Sequence, residues 1–179
     1  MRPLFIHHPA TVPTVVGVAI VALDQGMKSW AMQALGAGAR LEPVPGVLQL
    51  VYVQNTGMAF GLFAGASALL GVLASLVLLT VLWQARAWLR ATDGLGRLST
   101  ASVVAGGVGN ILDRIQHGFV VDYLSLLPLP IFQVFNSADV AISLGAVGLG
   151  ITLWRDDRRT RRRDRSTPAP APDAETPTT

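Results

Sequence analysis

The sequence predicts an all-α membrane protein: four transmembrane helices, with a small extracytoplasmic β-element between the first and the second. Three observations predict it. Of the 179 residues, 51% are hydrophobic and only 14% charged, whereas a soluble domain carries about 25% charged residues; mean hydropathy is +0.47. The apolar residues gather in four stretches, 12–35, 66–85, 98–116 and 138–154, each near the roughly 20 residues that carry a helix across a bilayer. The arginines are one-sided. Arg86, Arg90 and Arg97 follow the second stretch and seven arginines lie between Arg155 and Arg165, while the loop after the first stretch has only Arg40, and the loop after the third only Arg114 at its edge. Basic residues stay on the cytoplasmic side, so both termini are expected in the cytoplasm of a multi-pass protein of the bacterial cell (inner) membrane.

The same charge distribution narrows the function. The pI near 10.2 comes mostly from the basic run beside the fourth stretch, where it suits anionic inner-leaflet lipids. A nucleic-acid site needs basic residues on a folded surface, so no nucleic-acid partner is expected. With no cysteine, disulfides, thiolate metal sites and a cysteine nucleophile are excluded. No His-Glu zinc motif and no Gly-rich phosphate loop occur, so neither metal nor cofactor is expected.

The elements follow in order. Residues 1–11 are a short polar cytoplasmic start. The first helix, 12–35, is interrupted by Asp24 and Lys28, so it reads as an uncleaved span rather than a leader, whose core is apolar throughout. Asp24 and Lys28 stand four apart, so they share a helix face and can pair. Ser29 beside Lys28 makes a poor serine–lysine dyad, because adjacent helical residues face apart. Pro43, Pro45 and Gly46 then exclude helix, and the β-branched run Val47–Val53 reads as a short extended piece. Asn55 and Gly57 form a turn or a polar lip before the apolar Met58–Phe63. The second helix, 66–85, carries no charge. The third, 98–116, is rich in small residues that admit close helix approach, with Asn110, Asp113 and Arg114 on one face at its far end. Residues 117–135 read as a connecting loop around Asp122. The fourth helix, 138–154, has small-residue spacing at Ala141, Gly145 and at Ala146, Gly150. Residues 155–179, basic and then Pro/Thr-rich, read as a disordered cytoplasmic tail, with its low-complexity part at 166–179.

The polar residues of this apolar chain fall on one side. Asp24, Asn55, Asn110, Asp113, Asp122, Asn136 and Asp139 all lie at the outer ends of the stretches, and carboxylates in such a setting are costly unless they serve a site. Single residues have modest structural readings: Asp24–Lys28 as an ion pair, Asn136-x-x-Asp139 as a capping box. Together they point to paired carboxylates. Two aspartates can activate a water, one ionised as base and one protonated to polarise a carbonyl. Asp139, at a helix start, has the setting that favours charge. Asp122, in the apolar run VVDYL, has the setting that disfavours it. A small proton or ion transporter is the alternative, since carboxylates also build relays; a relay spreads polar groups through the membrane depth.

These residues resemble the lipoprotein signal peptidase (signal peptidase II) family of bacterial membrane aspartic proteases. The likeness runs in order through DQGMKSW (24–30), QNTGMAFGLF (54–63), GGVGNILDR (106–114), VVDYL (120–124) and FNSAD (135–139). The resemblance implies a peptidase domain over 12–154 that removes the signal peptide from a diacylglyceryl-modified prolipoprotein just before its lipidated cysteine. It implies Asp122 and Asp139 as the catalytic pair. Asn55, Gly57, Asn110, Arg114 and Asn136 would bind or position substrate, and Asp24, Lys28 and Asp113 would support the site. The expected partners are that substrate and membrane lipids, with the protein acting as a monomer. Ala105 and Met58 depart from the family's pattern, where glycine and alanine are usual, and leave both aspartates intact.

Overall fold

A computed structural model describes residues 11–57, 63, 65–128 and 134–166. The polar start before residue 11, most of the Met58–Phe63 lip including Met58 itself, and the tail 167–179 lie outside the described residues. The described chain is mostly helical: α1 (Thr11–Leu35), α2 (Ser67–Ala91), α3 (Gly94–His117) and α4 (Ser137–Ser166), with strands β1 (Leu41–Val44), β2 (Leu48–Asn55) and β3 (Val120–Leu126). The strands form one antiparallel sheet in the order β1-β2-β3.

The packing is inverted relative to a soluble domain. Asp24, Lys28, Asp113, Asp122 and Asn136 are buried, while Val15, Val18, Leu23, Val72, Leu76, Val77, Leu144 and Val147 stand exposed. Apolar faces of this extent on three helices need a cover other than water. Ser137–Arg161 is long and apolar enough to cross a membrane by length and composition, and Ser67–Trp83 is a shorter apolar run. At 25 residues, α1 is about 37 Å long, and it and α3 hold most of the site's polar residues within their length.

Helix α3 packs against the other three helices. Its glycines allow this. A Cβ on Gly106 would strike the Ala138 carbonyl oxygen, and one on Gly109 would stand 2.5 Å from Asp24 Oδ2. On α4 the close approach is made by Gly145 and Gly148, against Ser99 and Val103, so Gly145 of the first small-residue pair packs as expected, whereas Ala146 and Gly150 of the second are exposed. Asp93 caps α3 by accepting from the Gly96 amide, and Gly118, at φ +77, ends it in the left-handed conformation that glycine adopts without strain.

Two elements differ from the sequence expectation. The stretch read as a connecting loop holds β3, so the sheet joins the α1–α2 and α3–α4 connections rather than lying only between α1 and α2. The fourth helix does not end at Trp154 but continues through the arginine run to Ser166. Ion pairs one turn apart, Arg159–Asp156 and Arg161–Asp157, interleave its charges.

Candidate active site

The sheet and the helix ends converge on one polar centre. The sheet rests on the end of α1, where Ala31, Leu35, Val121 and Tyr123 form a buried cluster with Leu50, Tyr52 and Phe119. Strand β2 pairs Leu50 with Leu124 and Val53 with Asp122, so one extra residue is bulged between them. The bulge brings Asn55 onto the same face as Asp122, as its diagonal neighbour. After β3 the chain returns: Phe135 exchanges backbone hydrogen bonds with Leu124. That return brings Asn136 and the start of α4 beside Asp122.

The two aspartates are joined through amides. Asn136 Nδ2 donates to Asp122 Oδ1 at 2.7 Å and to Asn110 Oδ1 at 3.1 Å, and Asn110 Nδ2 donates to Asp139 Oδ1 at 2.8 Å. Asn55 Nδ2 donates to the second oxygen of Asp122 at 2.8 Å, and the Gly57 amide fixes Asn55 by donating to its Oδ1. The Asn136–Asp139 capping box is formed in both directions: the Asn136 amide donates to Asp139 Oδ2 and the Asp139 amide to Asn136 Oδ1. The amide orientations are forced, because Lys28 can only donate, and its Nζ reaches Asn110 Oδ1 at 3.0 Å.

Beneath this layer lies an ion cluster. Lys28 pairs with Asp24 at 2.8 Å and with Asp113 at 3.0 Å, all three side chains being almost wholly buried. Two carboxylates to one cation leave a surplus negative charge, which four further donors meet. Asp24 accepts from Ser137 Oγ at 2.6 Å and from the Ala138 amide at 2.9 Å; Asp113 accepts from the Val121 amide at 3.0 Å and from Gln25 Nε2 at 2.9 Å. Thus α1, α3, β3 and the start of α4 are tied at one point. Ser29 is elsewhere, on the exposed face with Gln33, and takes no part.

Arg114 does not pair with Asp113. Its Nη1 donates to the Asn110 carbonyl and its Nη2 to the Gly57 carbonyl. All ten site residues expected from the sequence are therefore in or beside one centre. Sequence reasoning missed three contributors: Gln25, Ser137 and Tyr123, whose hydroxyl meets Ser137 Oγ at 2.9 Å. The available signal was position, since Gln25 stands three residues before Lys28 on α1, and Ser137 follows the Asn136 cap. Ala105, the departure just before the third motif, is buried.

Burial raises the Asp122 carboxyl to about 6; the nearby Asp139 charge adds to the rise, and the Asn55 and Asn136 amides oppose it. Burial also raises the Tyr123 hydroxyl. A carboxyl lifted toward neutrality beside a second carboxyl at a helix start is the setting of an acid–base pair.

The fold and site define a helical membrane protein with two linked carboxylates at one end of its bundle. A family model described as "Signal peptidase (SPase) II" matches residues 16–155. Lipoprotein signal peptidase of Halothermothrix orenii is 34% identical over 147 residues, covering 80% of this chain and 96% of its own. That of Synechococcus sp. strain RCC307 is 40% identical, covering 76% and 89%. Two solved chains described as bacterial membrane enzymes share the fold, with TM-scores of 0.72 and 0.68 at 21% and 23% identity; they cover 94% and 81% of this chain and 94% of each solved chain. The chain belongs to the signal peptidase II family and is a membrane protease.

Proposed function

We propose that this protease cleaves diacylglyceryl-modified prolipoproteins just before the lipidated cysteine, with Asp122 and Asp139 as its catalytic pair. The observation that carries the reading is the amide relay Asp122–Asn136–Asn110–Asp139. It holds two carboxylates of unlike environment toward one another, and fixing such groups in place is what general acid–base catalysis requires.

In this mechanism Asp139, in the first turn of α4, is the ionised partner, because a helix N-terminus favours negative charge. It takes a proton from a water, whose oxygen bonds to the scissile carbonyl carbon. Asp122 holds the other proton and gives it to the carbonyl oxygen as the tetrahedral intermediate forms. Collapse breaks the C–N bond: the proton on Asp139 passes to the departing cysteine nitrogen, and a hydroxyl proton of the diol returns to Asp122 as the carboxyl group forms. The products are a signal peptide with a new carboxyl terminus and a lipoprotein with a free amino terminus. Asn55, Asn110 and Asn136 keep the carboxylates in register. Arg114 and the Gly57 turn flank the cleft where substrate lies. Asp24, Lys28 and Asp113 hold the helices that carry these groups.

The exposed apolar faces and the arginine bias support four membrane spans with both termini in the cytoplasm; on this reading the site lies near the outer face. A single chain supplies both aspartates, so a monomer suffices. A transporter reading gains nothing from the geometry, since the polar groups gather at one end of the bundle. The test is direct: purified protein should cut a synthetic diacylglyceryl peptide on the amino side of its cysteine and leave the unlipidated peptide whole. Equal cleavage of both peptides, or of neither, would overturn the reading.

A further inference from the structure

Between α2 and α3, beside Arg114, lies an apolar hollow of about 380 Å³, walled by Gly71, Val72, Ser75, Leu76, Ile111 and Arg114. The Ser75 hydroxyl is turned back onto the Gly71 carbonyl, so it adds little polarity to the wall. Gly71 lets the arginine stem lie flat on α2: a Cβ there would stand 3.4 Å from Arg114 Cβ and Cδ. The guanidinium has five N–H donors, and two are engaged by the Asn110 and Gly57 carbonyls. Its Nε is buried with no partner, and among the described residues no carboxylate forms an ion pair with it.

An apolar hollow ending at a cation with unused donors fits a hydrocarbon chain that carries a carbonyl at its head. Its position suits one such ligand. Arg114 is one turn beyond Asn110, which holds Asp139. A lipidated cysteine next to the scissile bond must place its glyceryl esters within a few atoms of that point. A second hollow among the described residues, about 450 Å³ between α1 and α3, has no cationic group in its wall; its polar residues are Thr14 and Gln25, and the Gln25 amide is engaged by Asp113.

We propose that the α2–α3 hollow receives one acyl chain of the substrate's diacylglyceryl group, whose ester carbonyl accepts from Arg114. The proposal rests on the substrate reading above and adds the subsite that reads the lipid.

The test uses the full chain in nanodiscs and diacylglyceryl peptides whose acyl chains lengthen in steps of two carbons. For the wild type, kcat/KM should rise with chain length while the hollow fills and then level off, each step by less than the roughly fourfold per methylene of transfer from water, because the chain comes from lipid. Val72 and Leu76 are lipid-facing, more than half exposed, so changing them spares the core. Val72→Trp should move the plateau to shorter chains, and Leu76→Ala to longer ones. Replacing the ester by an ether should lower wild-type kcat/KM about 10-fold, as for loss of a hydrogen bond to a charged group, and leave Arg114→Gln indifferent. Binding of the same peptides to Asp139→Asn protein is measured in parallel. If the wild type cleaves but all variants share one chain-length profile, the chain lies in bulk lipid or bulk phospholipid fills the hollow, and the subsite is refuted while the peptidase reading stands. If nothing is cleaved yet the binding profiles shift, the peptidase reading falls and the subsite stands. Unshifted binding profiles refute the subsite in either case.

Discussion

Asp139→Asn separates catalysis from helix capping. Asp139 accepts two hydrogen bonds, from Asn110 Nδ2 at 2.8 Å and from the Asn136 amide at 3.1 Å. Asparagine has one carbonyl oxygen, so one of these donors must face an NH2 group. Asn110 cannot turn to compensate, because its own Oδ1 accepts from both Lys28 and Asn136. The side chain should therefore keep its oxygen toward Asn110 and give up the Asn136 amide. Asp139 is only partly buried, so water can reach the freed donor, and the loss should be near the low end of about 1–3 kcal/mol. Against a typical stability of about 5–15 kcal/mol the protein stays folded. Without a base the water is not activated, and general-base loss alone is worth about 100- to 10,000-fold. The expected result is a thermal midpoint in detergent shifted by a few degrees, retained lipopeptide binding, and single-turnover cleavage slowed at least about 100-fold. A rate within about tenfold of wild type in the folded variant would refute the carboxylate-pair mechanism, because a cap needs no proton transfer.

Other perturbations reach the same centre from different sides. Asp122→Asn should also stop cleavage while the protein inserts and binds lipopeptide; near wild-type turnover would remove it from the pair. Because burial lifts Asp122 to about 6, the proton it donates is lost as pH rises through that value. Activity in a pH profile should fall there, and Asn55→Ala, which removes a bond favouring the charged form, should move the falling limb to higher pH. Lys28→Met strands Asp24 and Asp113 together in the interior and should cost about 3–5 kcal/mol in thermal unfolding. Arg114→Lys should lose turnover, since a point charge cannot copy a fork bonded to two carbonyls; wild-type rates would reduce Arg114 to a helix-end charge.

Local spacing made much of this molecule legible. The Asp24–Lys28 pair follows from a separation of four and is present at 2.8 Å. The Asn136–Asp139 box follows from a separation of three and is closed in both directions. What spacing cannot reveal is the non-local pairing. Strand β3 escaped notice because its partners lie some seventy residues earlier, Leu50 against Leu124, and Asp122 and Ser125 interrupt an otherwise apolar run. Gln25 and Ser137 escaped because one looks like an ordinary polar residue within α1 and the other like an ordinary helix-start serine until Asp113 and Asp24 stand opposite them. The basic run after Trp154 read as chain beyond the helix by composition, yet Asp156 and Asp157 fall one turn from Arg159 and Arg161, a pattern that sustains helix.

The same non-local contacts explain why assembly and catalysis cannot be separated here. In lipid, apolar side chains gain little by leaving their surroundings, so helices associate through close backbone approach and buried polar contacts. Gly109→Ala shows the consequence. Its Cβ would stand 2.5 Å from Asp24 Oδ2 and 3.4 Å from the Ala138 Cβ. Asp24 holds Lys28, Ser137 and the Ala138 amide, so displacing it moves both the cation beneath Asn110 and the first turn of α4, which carries Asp139. Overpacking of this kind costs about 1–3 kcal/mol, while a misplacement of about 1 Å in a catalytic group can cost about 100-fold in rate. A single methyl group, on a glycine that touches neither aspartate of the proposed pair, should therefore lower cleavage far more than it lowers the thermal midpoint. Equal and small losses in both would mean that the ion cluster yields without moving the aspartates, and that the two layers are not coupled.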